Sequence, residues 1–169
     1  GHEMTHGFDD QGSQFDKDGN LNNWWTEEDR TRFEERTKVL LDYFNNIEVA
    51  PGVNANGALT LGENIADHGG LQIAYQAFCN NEASKPSEQR LTEQEGFTPA
   101  QRFFLAYSHV WAGNIRAEEI LQRTKNDPHS LGKWRVNGAL PHINAWYDAW
   151  QITPSSPMYL EPEKRASIW

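Results

Sequence analysis

The chain has 169 residues, of which 37% are hydrophobic, and a formal net charge of −9 from 15 basic and 24 acidic side chains. This length suits one domain that buries a sizeable core. An acidic balance without a basic stripe argues against nucleic acid or an anionic membrane as a partner. No run of 18 apolar residues occurs, so the sequence predicts no membrane-spanning segment.

The first predicted element is a helical segment over residues 1–7 that carries the pattern HExxH. Residues i and i+4 of a helix share a face, so the imidazoles of His2 and His6 can bind one metal ion. Two neutral imidazoles suit Zn²⁺, and a carboxylate beside the metal, here Glu3, suits a general base. The alternative is a helix that carries two surface histidines.

Residues 8–25 are rich in turn signals, and they predict a loop with short extended pieces. The series Asp16, Asp18 and Asn20 resembles part of a calcium loop, but its glycine is misplaced and no closing glutamate follows, so a turn is the preferred interpretation. Thr26 predicts the start of a long helix over residues 26–46. The next loop is predicted over residues 51–57.

A helix over residues 63–80 supplies the candidate third metal ligand. A catalytic zinc takes three protein ligands and leaves the fourth position for water. Glu63 and Asp67 share a helix face, so one carboxylate can bind the metal while the other accepts the free ring N–H of a ligating histidine. The alternative is an ordinary acidic helix face. Gly69-Gly70 is unfavourable in mid-helix unless another element packs closely there. The positions expected to face inward are Ile65, Leu71, Ile73, Ala74 and Phe78.

A surface loop is predicted over residues 81–97, followed by helices over 98–113 and 116–125. The next polar cluster contains Asp127, His129 and Arg135. A histidine near the metal can stabilise an oxyanion, and a carboxylate such as Asp127 can orient it. The planar guanidinium of Arg135 can hold a peptide carbonyl or carboxylate. The alternative is that all of these are ordinary loop residues.

A short helix over residues 142–150 and a proline-rich tail complete the chain. His68, His109 and His142 lack partner spacing, which predicts structural or solvent-exposed roles. Cys79 is the only cysteine, so no internal disulfide can form, and we expect a small buried side chain there. The aromatic richness mostly indicates core packing, although an aromatic binding domain without metal is a weaker alternative.

Five separated segments together resemble one family, the neprilysin-like zinc endopeptidases, which include endothelin-converting enzymes and bacterial oligopeptidase O. They are GHEMTHGFDDQG with FDKDGNLNNWW, ENIADHGGLQIAY, FFLAYSHVWAG, DPHSLGKWRVNGAL and PEKRASIW. The resemblance implies a mainly α, thermolysin-like (gluzincin) fold with a short extended and turn-rich segment after the metal helix. Residues 1–169 would be the C-terminal part of a catalytic domain whose N-terminal portion and second lobe are absent.

The resemblance also implies roles at matching positions. His2, His6 and Glu63 would bind one Zn²⁺ per chain, and Glu3 would be the catalytic carboxylate. Asp67 would orient a ligating histidine, His129 would stabilise the transition state, and Arg135 would bind the substrate. The implied activity is hydrolysis of internal bonds in oligopeptides, and the implied partners are peptide substrates and the remainder of the parent polypeptide.

Three departures qualify the resemblance. The cysteines of the family's animal members are absent, with Ala112 at one matching position, which favours a disulfide-free microbial branch. The family's substrate-binding segment before HExxH and its second lobe are both missing. The motif begins at the second residue without an initiator methionine, so we expect a piece of a longer protein. An extracytoplasmic location is expected by family habit, with a cytoplasmic oligopeptidase as the alternative.

Two functional hypotheses follow from the sequence. The first is the core of a zinc endopeptidase, which by itself would have little or no activity. The second is a catalytically incomplete zinc-binding or interaction module left by truncation. Both expect zinc, but only the first expects peptide cleavage once the missing parts are restored.

Overall fold

The computed structural model describes residues 1–169 and is mainly helical, which confirms the predicted class. Its elements are α1 (His2–Thr5), α2 (Glu27–Asn45), β1 (Glu48–Ala50), β2 (Val53–Asn54), α3 (Leu61–Ser84), α4 (Pro99–Val110), α5 (Ala117–Asn126), α6 (Gly132–Asn137) and α7 (Asn144–Trp150), with short 3-10 turns between them. None of these helices combines the length and the apolar character that crossing a membrane requires.

Helix α2 begins where its sequence signals predict. The Thr26 hydroxyl accepts a hydrogen bond from the Asp29 N–H at 3.1 Å. Three acidic residues occupy the first turn, where their negative charge interacts favourably with the positive end of the helix dipole. Its buried face carries Phe33, Leu40 and Phe44. After α2 the sequence predicted only a loop, but β1 and β2 pair as an antiparallel hairpin there.

The Gly69-Gly70 pair of α3 does have a packing reason, as the sequence required. A Cβ atom on Gly70 would lie 2.5 Å from the backbone nitrogen of His2. A Cβ atom on Gly69 would lie 2.9 Å from the methyl group of Thr5. Real Cβ atoms do not tolerate such distances, so only glycine lets α1 pack directly on the backbone of α3.

The second half of α3 corrects two sequence predictions. Ile65 and Leu71 are buried as expected, but Ile73 is 56% exposed and Ala74 is exposed as well. This half of the helix packs on one side only, through Tyr75, whose ring stacks on Phe104 of α4 at 5.2 Å. The inward face therefore continues from Leu71 through Tyr75 rather than through Ile73.

Two further predictions in this region are wrong in detail. Residues 81–84, predicted as loop, continue α3 to Ser84. Cys79, predicted to be buried, is only partly buried. Cys79 is only partly buried because this end of α3 extends past the second core cluster, where most of its residues are exposed. That cluster consists of Leu71, Phe104, Leu140, Ile143, Trp146 and Tyr147.

The helices after residue 97 follow the sequence signals with one omission. Thr98 and Gln101 form the reciprocal hydrogen bonds of a capping box at the start of α4, and Pro99 occupies its first position. Helix α4 ends at Val110, earlier than predicted. Helix α6, Gly132–Asn137, was not predicted, because six residues are too few to display a helical period.

Two of the three histidines without partner spacing lie in the core. His68 and His142 are buried, whereas His109 is exposed. The Nδ1 atom of His142 accepts a hydrogen bond from the Ala166 N–H at 2.9 Å, and Nε2 of His68 lies 3.1 Å from the Ala166 carbonyl oxygen. Burial lowers the pKa of His68 to about 4 and the pKa of His142 to about 3, so both rings stay neutral near pH 7.

These two histidines predict acid lability of the fold. In the unfolded chain their pKa values return to about 6.5. The unfolded state therefore binds more protons below that pH, and the free energy of unfolding falls as pH falls from 6.5 toward 4. For His68 the loss is on the order of 3 kcal/mol. Urea unfolding at pH 7 and pH 4.5 measures it.

A neutral replacement isolates the contribution of one ring. His142→Asn keeps an acceptor near the Ala166 amide, and we expect it to reduce the loss of unfolding free energy between pH 7 and pH 4.5. The matched exposed change, His109→Asn, should leave the pH dependence as it is. Equal pH dependence in all three proteins would contradict this assignment.

Candidate metal centre

Three donor groups from two helices converge at one point. The Nε2 atoms of His2 and His6, both on the first helical segment, lie 3.1 Å apart. From α3, the two carboxylate oxygens of Glu63 approach them, Oε2 at 3.2 Å from His2 and Oε1 at 3.4 Å from His6. The i, i+4 spacing brings the imidazoles to one face, and the α1–α3 contact brings the carboxylate to them.

The distances fit a tetrahedral zinc site. With metal–ligand bonds of about 2.0–2.2 Å, ligand atoms of a tetrahedron lie about 3.3–3.6 Å apart. The Nε2–Nε2 separation of 3.1 Å is close to such an edge. The distances of 3.2 and 3.4 Å involve the two different oxygens of Glu63, and one ligand atom from each of the three residues lies within 4.8 Å of the others. A group of two imidazoles and one carboxylate leaves one tetrahedral position open, which is the arrangement of catalytic rather than structural zinc sites.

The tautomers of the two rings support the same interpretation. Nδ1 of His2 lies 2.9 Å from an Asp67 oxygen, and Nδ1 of His6 lies 2.7 Å from an Asp9 oxygen. An ionised carboxylate can only accept a hydrogen bond, so each Nδ1 carries a proton. In the neutral rings the two Nε2 lone pairs then face one another and the Glu63 carboxylate. Such a cluster of lone pairs is repulsive unless a cation or added protons lie between them.

Asp67 connects the metal-binding face to the interior. It is buried and accepts two hydrogen bonds from the Arg135 guanidinium, at 2.8 Å from Nε and 2.7 Å from Nη2. Its hydrogen bond to His2 is the main reason that the pKa of His2 is raised. The guanidinium stacks on the Trp111 ring at 3.9 Å, so Arg135 is held on both its edge and its face.

Asp9 is a site residue that the sequence analysis missed. It is buried in the turn after the metal helix, and its second oxygen accepts the N–H groups of Gln11 and Gly12 at 2.9 and 2.7 Å. It thus holds His6 as Asp67 holds His2. One signal is present in the sequence, because Asp9 follows His6 by three residues, but the turn signals of residues 8–25 do not indicate which side chain folds back.

His129 reaches the centre from the loop before α6. Its Nε2 lies 3.4 Å from Glu63 Oε1, and Asp127 Oδ1 accepts its ring Nδ1–H at 2.7 Å. Burial opposes ionisation of Asp127, but hydrogen bonds from His129 and Arg123 outweigh it and lower its pKa to about 2. The neighbouring Ser130 hydroxyl donates to the Asn64 side chain at 2.8 Å, which ties this loop to α3.

Glu3 is the predicted site residue that makes no contact with the others. It lies on α1 beside His2, its side chain is exposed, and it takes part in no hydrogen bond or ion pair. Two hollows flank the centre. A cleft of about 620 Å³ lies between the segments around Trp111 and His129, and a second hollow of about 380 Å³ touches His2 and Asp67.

A family model and full-length relatives match this chain. The model for peptidase family M13 matches residues 1–166. Neprilysin-11 of Caenorhabditis elegans is 40% identical over all of this chain, which covers 20% of that protein. Human neprilysin is 39% identical, with 22% of its length covered. The chain thus spans about a fifth of the length of these relatives.

Solved structures show the same relationship. The zinc metalloprotease ZMP1 of Mycobacterium tuberculosis, in complex with an inhibitor, superposes with a TM-score of 0.92 at 38% identity, over 100% of this chain and 26% of that one. PepO of Lactobacillus rhamnosis gives 0.84 at 34% identity, over 100% and 25% of the two chains. The predicted mainly helical, gluzincin-type fold is confirmed by these matches, and so is the resemblance to the neprilysin-like enzymes. With the family model covering nearly every residue, the chain belongs to peptidase family M13, a family of zinc metallopeptidases.

Proposed function

We propose that this chain supplies the metal centre of a zinc-dependent endopeptidase that hydrolyses internal bonds of oligopeptides. The observation that carries the proposal is the convergence of His2, His6 and Glu63: the two Nε2 atoms lie 3.1 Å apart, and Glu63 places Oε2 3.2 Å from His2 and Oε1 3.4 Å from His6. These residues would hold one Zn²⁺ per chain. When bound, zinc supplies a Lewis acid for the scissile carbonyl and for an attacking water. Asp67 and Asp9 fix the orientation and protonation of the two rings.

Glu3 would move the protons. It follows His2 directly, and its carboxylate is exposed and free of partners, so it can take a proton from the attacking water. The same carboxylate can then deliver that proton to the leaving amine. In a free protein such catalytic contacts need not be formed, since the substrate completes them.

His129 and Arg135 would act on the substrate. With Nδ1–H bound to Asp127, a protonated His129 can donate from Nε2 to the oxygen that gains negative charge, a contribution of about 3 kcal/mol for one good donor. Arg135 uses Nε and Nη2 on Asp67, which leaves Nη1 for a substrate carbonyl. The two hollows beside the centre offer room for side chains on either side of the scissile bond.

We further propose that residues 1–169 are the C-terminal part of a larger catalytic domain, because the relatives are about five times longer. The same difference in length also supports the alternative, a zinc-binding module without activity. A chelator-sensitive assay with a quenched short peptide on the intact protein separates the two. Cleavage that stops on chelation supports the peptidase, and zinc binding without cleavage supports the module. An extracytoplasmic location in a microbe stays a prediction.

Replacing the proposed general base should separate chemistry from metal binding. In the intact enzyme, we expect Glu3→Gln to retain zinc and to lower kcat by about 10²–10⁴-fold, since only proton transfer is lost. Steady-state kinetics and metal content by atomic absorption measure the two effects. Wild-type turnover in Glu3→Gln would refute the role of Glu3.

Removing the carboxylate ligand should act on the metal first. We expect Glu63→Ala to lose most of its zinc at metal concentrations that saturate the wild type, because two imidazoles alone leave the site underligated. Equilibrium titration against a chromogenic chelator measures this affinity. Glu119→Ala, a matched change at an exposed position of α5, is the control. Full zinc occupancy in Glu63→Ala would exclude ligation by Glu63.

Asp9 offers a test of ring orientation. Asp9→Asn can keep the bonds to the Gln11 and Gly12 amides through its carbonyl oxygen, while the amide nitrogen cannot accept from His6. We expect zinc to bind 10–100-fold more weakly, the range typical of such supporting carboxylates. The neighbouring Asp10→Asn serves as control. Unchanged affinity in Asp9→Asn would mean that Asp9 shapes the turn only.

A further inference from the structure

The last four residues of the chain, 166–169, lie across the junction of α1 and α3, and we call this segment the clasp. Both main-chain groups of Ala166 are bound by buried histidines. His142 Nδ1 accepts the Ala166 N–H at 2.9 Å, and His68 Nε2 donates to the Ala166 carbonyl at 3.1 Å. The side chains of Ala166 and Ile168 are buried as well, so the segment is part of the core.

The bonds to Ala166 require a definite tautomer of each ring. His142 accepts at Nδ1, so its proton is on Nε2, while His68 donates from Nε2 and must accept at Nδ1. The Gln72 amide nitrogen lies 3.2 Å from His68 Nδ1 and 3.0 Å from Nε2. Because Nε2 carries the proton, the amide donates to Nδ1. Two neutral rings thus bind both main-chain groups of one residue, Ala166.

The other end of the clasp lies against α3 and against the 3-10 turn that contains His6. A Cβ atom on Gly69 would lie 2.9 Å from Nε1 of Trp169 and 2.9 Å from the methyl of Thr5. The Trp169 ring also packs edge-on against Phe8 at 6.2 Å between centroids. Trp169 therefore lies where α3, α1 and the turn after His6 meet. The Ile168 carbonyl accepts a bond from Arg36 of α2 at 3.0 Å, which fixes the segment just before the ring.

We propose that the clasp is a positioning element for the metal centre. His68 and His142 hold Ala166, and Trp169 holds the segment of His6 against the helix of Glu63. The inference rests on the proposed zinc site. The short 3-10 turn His6–Phe8 contains His6 itself, so packing of Trp169 on Phe8 at one end and at Gly69 of α3 at the other sets how far His6 stands from Glu63. Trp169 is 52% exposed, and the buried half of its side chain packs on Phe8 and on Phe33 of α2.

Zinc affinity of folded variants tests the proposal in the intact enzyme. We expect Trp169→Ala to bind zinc at least tenfold more weakly and to change the visible absorption spectrum of the Co²⁺-substituted protein. Trp169→Phe, which keeps a ring against Phe8, should stay within about threefold of the wild type. Trp24→Ala removes a tryptophan of similar exposure whose ring packs on Trp25 and whose Nε1 donates to the Phe15 carbonyl, and it should have no effect. A folded Trp169→Ala protein with wild-type zinc affinity and an unchanged Co²⁺ spectrum would overturn the proposal.

A measurement on the unaltered enzyme covers the case in which Trp169→Ala does not fold. If the clasp positions the metal site, zinc binding must stabilise the clasp in return, because coupling between two sites is reciprocal. Amide exchange of the peptide that contains Ala166 should slow at least threefold when zinc is added to the metal-free enzyme. Unchanged exchange there, with slower exchange in α1 and α3, would show that the clasp is independent of the metal.

The outcomes also separate this inference from the proposed function. An intact wild-type protein that binds no zinc would remove the metal centre itself. A protein that binds zinc through His2, His6 and Glu63 but is indifferent to Trp169 would retain the centre and remove only the clasp.

Discussion

The closest approach between α1 and α3 is the constraint on which the metal centre depends. Gly69 and Gly70 allow the backbone of α1 to rest on the backbone of α3, and a single methyl group at Gly70 would force the two apart. The two histidines are on one side of this contact and Glu63 is on the other. Since the candidate donor atoms of all three residues must lie within a few ångströms of one another, the packing of two main chains decides whether the three side chains could bind one ion.

Around that contact, charge is arranged in layers. The three donors face each other, and the carboxylates of Asp9 and Asp67 stand behind the imidazoles, fixing which nitrogen carries the proton. Arg135 stands behind Asp67 and compensates a buried negative charge, while Trp111 covers the guanidinium. A buried carboxylate without such a partner would be unfavourable by several kcal/mol, so Arg135 is what allows Asp67 to stay ionised behind His2.

The structure also shows where sequence patterns were sufficient and where they were not. The HExxH spacing, the Glu63–Asp67 pair and the Thr26 and Thr98 caps are local, and a helical period alone determines their geometry. The predicted inward face of α3 is wrong at Ile73, because burial of that position depends on whether α4 covers that side of the helix. Asp9 was overlooked because its role comes from a turn that folds it back onto His6, and a turn leaves no periodic pattern.

By itself the sequence determined the identity and order of the ligand candidates, the helical class and the requirement for close packing at Gly69-Gly70. These follow from spacing, residue chemistry and the steric demands of a Cβ atom. Spacing and residue chemistry left open which of the two carboxylates meets the metal. Only the tertiary structure placed Glu63 at the Nε2 atoms and Asp67 at Nδ1 of His2, and brought His68 and His142 to the two main-chain groups of Ala166. The reason is distance along the chain, because partners 24 to 98 residues apart meet only after the intervening elements have packed.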